Sequence, residues 1–74
     1  MFTARSVDDL IMLARAGGGF HLKAAPRSAD DLAMIAKAAA EGRCRVTFSG
    51  MAPRPIDDLV MIARAGAGAV FFED

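Results

Sequence analysis

One twelve-residue segment occurs three times in this chain, and that repetition restricts its fold more than any other property. Arg5-Ser6-Val7-Asp8-Asp9-Leu10-Ile11-Met12-Leu13-Ala14-Arg15-Ala16 returns as Arg27-Ser28-Ala29-Asp30-Asp31-Leu32-Ala33-Met34-Ile35-Ala36-Lys37-Ala38. It returns again as Arg54-Pro55-Ile56-Asp57-Asp58-Leu59-Val60-Met61-Ile62-Ala63-Arg64-Ala65. A period in this range marks a supersecondary unit stacked on copies of itself. Asp8 and Asp30 are 22 residues apart and Asp30 and Asp57 are 27 apart, so the middle unit is the longest. Its extra residues belong to a longer helix end and a longer strand-to-helix turn.

Each copy starts as a helix should. Ser6 and Ser28 offer a hydroxyl to the first turn, and Asp9 and Asp31 stand three residues on, in a variant of the capping box. Pro55 replaces the serine in the third copy and suits the first turn of a helix. The paired acids, Asp8-Asp9, Asp30-Asp31 and Asp57-Asp58, sit at the positive end of the helix dipole, with Arg15, Lys37 and Arg64 toward the other end. Gly17-Gly18-Gly19, Gly42 and Gly66-Ala67-Gly68 mark the helix ends.

Between these helices, side chains alternate as in half-buried strands. Phe20-His21-Leu22-Lys23-Ala24 is one strand. Arg43 to Ser49, with Cys44, Val46 and Phe48 on one face, reads as the longest, and Val70-Phe71-Phe72-Glu73 is the last. Met1 to Ala4 has the same alternation over fewer residues. The order is therefore β-α-β-α-β-α-β, an α/β class of three tandem helix-strand units at about residues 1–24, 25–50 and 51–74 in a single domain. Strand-helix-strand succession implies a small parallel sheet with right-handed crossovers. One-sided alternation places the helices on one face of it. The expected core is Phe2, Leu22, Val46, Phe48, Val70 and Phe72 against Leu10, Ala14, Leu32, Ala36, Leu59 and Ala63.

Composition then narrows the function. Nine basic and nine acidic residues leave no net charge, so the field that gathers nucleic acid or an anionic membrane surface is missing. No run approaches the roughly 20 apolar residues of a membrane span, and the N-terminus lacks a signal-peptide pattern, so a cytoplasmic location is expected. Cys44 is the only cysteine, which excludes an intrachain disulfide. A chain of 74 residues is close to the lower limit for an independent core, and oligomerisation is the support left to it.

Catalytic constellations are poorly supported. His21 is the only histidine and belongs, by alternation, to the sheet face opposite Cys44. The Asp pairs are explained as helix starts, and the glycine clusters follow helices where phosphate-binding loops precede them. No cofactor and no metal site are expected.

Met12, Met34 and Met61 fall on the helix arc away from the sheet, at one position in every copy. Phe71 falls on the uncovered sheet face. These four are the candidate interface residues, since flexible or aromatic apolar side chains held outward suit a protein contact. The repeated Arg5, Arg27 and Arg54 are expected to pair with the acidic helix starts or with a neighbouring unit's turn. The reading favoured is a small homo-oligomeric structural or protein-interaction module without catalytic activity. The alternative is a small-molecule or anion-binding protein, weakly catalytic at most, using His21, Lys23, Arg45 and Thr47 on the polar sheet face.

Overall fold

The computed structural model describes residues 5–74, which alternate helix and strand throughout. Helix α1 spans Val7–Arg15, β1 Phe20–Lys23, α2 Ala29–Gly42, β2 Val46–Ser49, α3 Ile56–Gly66 and β3 Val70–Phe72. The expected strand at Met1 to Ala4, with Phe2 in the expected core, lies outside the described residues.

Helix starts follow the capping chemistry. Ser6 Oγ accepts from the Asp9 N–H and Ser28 Oγ from the Asp31 N–H, both at 3.2 Å, each contributing about 1 kcal/mol. Pro55 occupies the same place before α3 and supplies no side-chain bond.

The helices end at the expected glycines, but in α2 and α3 the glycine is not the left-handed residue. Gly42 and Gly66 are the last helical residues, and Arg43 (φ 58°) and Ala67 (φ 47°) take the left-handed position instead. Packing explains the exchange. A Cβ on Gly42 would overlap the Ala14 carbonyl of α1, and one on Gly66 would overlap the Val70 side chain. Both glycines let elements approach closely, and the strain of about 1 kcal/mol per left-handed residue is transferred to Arg43 and Ala67. After α1 a glycine, Gly17 at φ 93°, turns the chain, and after α3 Gly68 at φ 92° follows Ala67.

The three strands form one parallel sheet in the order β1-β2-β3. Phe20 pairs with Val46 and Val46 with Val70, and one step on His21, Thr47 and Phe71 stand in a row. Consecutive strands are parallel neighbours and the three helices lie on the same face of the sheet, with α2 packed between α1 and α3. β2 begins at Val46 because Arg43 closes α2 and Cys44-Arg45 lead into the sheet; it is no longer than β1.

The core is centred on α2. Leu10, Ala14, Leu22, Leu32, Ala36, Val46 and Phe48 are fully buried, as alternation and helical period require. The third unit differs from expectation. Ala63 and Phe72 are exposed, and Leu59 and Val70 are only half-buried, because no further helix or described strand covers that flank. Phe20, Ile35, Ile62 and Met51 join the core instead. Ile35 and Ile62 are buried because a helix in a row touches the sheet and a neighbouring helix, so its apolar arc is wider than a sheet contact alone needs.

Candidate functional site

The repeated Met is held outward by helical geometry. Leu10, Leu32 and Leu59 turn toward the sheet, and two residues on, about 200° around the helix, the chain places Met12, Met34 and Met61 on the opposite surface. All three are exposed, from 69% for Met12 to 38% for Met61. They lie on three adjacent helices of one layer, so their side chains belong to one outer surface.

Met12 also lines a hollow beside α1 formed with Arg5, Asp9, Leu10 and Leu13. Arg5 lies 3.8 Å from Asp9 in an exposed pair one helical turn apart, an arrangement worth a few tenths of a kcal/mol. The α1 and α2 ends are tied by Arg15 Nε donating to Glu41 Oε1 at 3.2 Å.

The repeated arginines bind neighbouring turns. Arg27 Nη2 donates to the Arg5 carbonyl at 2.7 Å, and Arg54 Nη2 donates to the carbonyls of Ala24 at 2.9 Å, Ala25 at 3.3 Å and Arg27 at 2.5 Å. Each of these two side chains reaches back to the turn that precedes the previous helix. The turn contact expected of these arginines is made by Arg27 and Arg54.

The open sheet face gathers the second candidate set. His21 and Thr47 are register neighbours, Lys23 stands opposite Ser49, and Arg45 precedes β2 on the same side. His21 Nε2 lies 3.5 Å from Glu73 Oε1, spanning the sheet over β2. The Arg45 guanidinium sits 5.4 Å from the Phe71 ring centre, so this exposed aromatic has a cation over it within the chain. Sequence alternation placed Phe71 on this face but gave no sign of that pairing. Ser49 Oγ donates to the Leu22 carbonyl, which removes its proton from the open surface.

His21 and Cys44 do not meet. The Cys44 thiol turns to the helix layer, donating weakly to the carbonyls of Ala14 at 3.3 Å and Ala39 at 3.8 Å, while His21 faces outward on the sheet. Among the described residues no group of three or more His, Cys, Asp or Glu side chains is placed to hold a metal ion. No helix among them is long and apolar enough to cross a membrane.

Exposed apolar residues beyond the Met set and Phe71 were not singled out from sequence. Leu13, Ile56 and Val60 are exposed although the equivalent positions of other units are covered. The chain matches no protein-family model, no curated protein sequence and no solved structure.

Proposed function

We propose that this chain is a self-associating structural or protein-interaction module with no catalytic role. The observation that supports it most is the exposed apolar set: Met12, Met34 and Met61 across three helices, with Leu13, Ile56 and Val60 on the two outer flanks. Scattered single apolar residues are ordinary on a protein surface, but a set repeated in register over a whole helix layer is a contact surface. Methionine suits it, being flexible enough to pack on more than one partner shape. Size-exclusion chromatography with light scattering tests this reading by comparing the chain with the Met12→Gln/Met34→Gln/Met61→Gln variant. The wild type should elute as an oligomer and the variant should shift toward the monomer. A wild-type monomer at micromolar concentration overturns the reading.

The second reading, an anion or small-molecule site on the open sheet face, is favoured by one feature. Lys23 makes no ion pair among the described residues and lies on the same face as Arg45 and Thr47. Titration with inorganic phosphate, followed by amide shifts at Lys23, Arg45 and Thr47, tests it. Absence of shifts at millimolar phosphate removes phosphate from the ligands this face could take.

A further inference from the structure

The three helices place related residues at equivalent positions in unequal surroundings. Toward the following unit, Val7, Ile11 and Ala14 of α1 pack into the molecule, as do Ala29, Ala33 and Ala36 of α2. Their α3 equivalents, Ile56, Val60 and Ala63, face solvent, with Ile56 69% exposed. Toward the preceding unit the pattern reverses. Ile35 and Ala39 of α2 and Ile62 and Gly66 of α3 are buried, whereas their α1 equivalents, Leu13 and Gly17, are exposed. The direction of each face follows from contacts: a Cβ on Gly66 would stand 3.4 Å from the Ala36 Cβ, and one on Gly42 would overlap the Ala14 carbonyl. The molecule thus ends in two unlike flanks, and each is the complement of the other within the internal repeat interfaces.

A polar ladder with the same polarity stands beside the apolar one. Arg54 donates to the Arg27 carbonyl and Arg27 to the Arg5 carbonyl, each reaching back one unit. The equivalent Arg5 has an exposed side chain that borders the hollow beside α1 with Leu13. The Arg54 carbonyl is the acceptor that a following unit would use. Arg5 and Leu13 belong to one flank, Arg54 and Val60 to the other.

We infer that a second copy of this chain docks head to tail. Val60 and Ala63 of one copy pack against Leu13 and Gly17 of the next, and Arg5 of the next copy donates to the Arg54 carbonyl of the first. The inference rests on the self-association proposed above and adds which faces meet and in which direction. The contact repeats α1 on α2 and α2 on α3 between chains, so the helix row runs on across the boundary. Unlike surfaces in contact give a heterologous assembly, closed into a ring or extended according to the rotation per copy.

Single cysteines test it. In a Cys44→Ala background, Val60→Cys and Leu13→Cys chains are treated with a short bis-maleimide, separately and after mixing. Covalent dimers are expected in the mixture and in neither chain alone. Arg5→Ala, at an exposed side chain that leaves the fold intact by circular dichroism, should weaken association about tenfold through loss of one charge-assisted bond. Cross-linked dimers in either single variant alone overturn the inference, because like faces would then be meeting. An oligomeric wild type with no cross-link in the mixture and unchanged association of Arg5→Ala also overturns it, and leaves self-association standing. A wild-type monomer overturns both.

Discussion

Arg54 donates through one guanidinium nitrogen to the carbonyls of both Ala24 and Arg27, fastening the turn before α3 to the turn before α2. Carbonyls in a strand-to-helix turn lie outside the sheet ladder, and a part-buried charged donor adds hydrogen bonds to them. Arg54→Ala should therefore lower unfolding free energy by about 2–3 kcal/mol, because it removes charged hydrogen bonds to the carbonyls of Ala24, Ala25 and Arg27. Arg54→Lys should recover less than half of that, since a single ammonium cannot reproduce the planar fork. Urea denaturation of the two variants checks both.

The same repeat position should give unequal costs along the chain. Ile35 is fully buried between α1 and the rest of the core, whereas Leu13 is on an outer flank. Ile35→Ala should cost about 2–5 kcal/mol, while Leu13→Ala should cost roughly 1 kcal/mol or less in the isolated chain. Equal losses on chemical denaturation at low concentration would mean that the α1 flank is covered.

Gly42→Ala should destabilise although alanine is the better helix former. The gain in propensity is about 1 kcal/mol, and the added Cβ falls on the Ala14 carbonyl, a backbone atom that cannot rotate away. Overpacking of this kind costs about 1–3 kcal/mol and separates α1 from α2, so the net change should be a loss of stability. Thermal unfolding gives the sign directly; a raised Tm would contradict the close approach.

Serine caps differ from the proline in their place. Ser28→Ala should cost about 1 kcal/mol through loss of the bond to the Asp31 N–H. Pro55→Ala loses no side-chain hydrogen bond and should cost less than half as much. Unfolding curves measured side by side decide this.

Much of the fold was legible in the sequence because helix and strand periods are local. Alternation in Phe20 to Lys23 and in Val46 to Ser49, the serine caps and the repeated Leu10, Leu32 and Leu59 each need only a few neighbouring residues to be read. Strand order was not local, and neither was the burial of Ile35 and Ile62, which depends on a second helix lying alongside. Gly42 and Gly66 were read correctly as helix ends, but their close packing was not, because the partners, Ala14 and Val70, lie in other elements. The exposed Met12, Met34 and Met61 followed from helical phase alone. The flanks at Leu13 and Val60 did not, since equivalent apolar positions of the repeat, such as Leu13, Ile35 and Ile62, are buried in one unit and exposed in another. The partner of Phe71 was likewise invisible, because Arg45 reaches it across strands.

Sedimentation equilibrium of the wild-type chain, over a range of micromolar concentrations, measures self-association most directly. A mass average that rises with concentration to a multiple of the 7.8 kDa chain is expected. A single 7.8 kDa species across the whole range would contradict it.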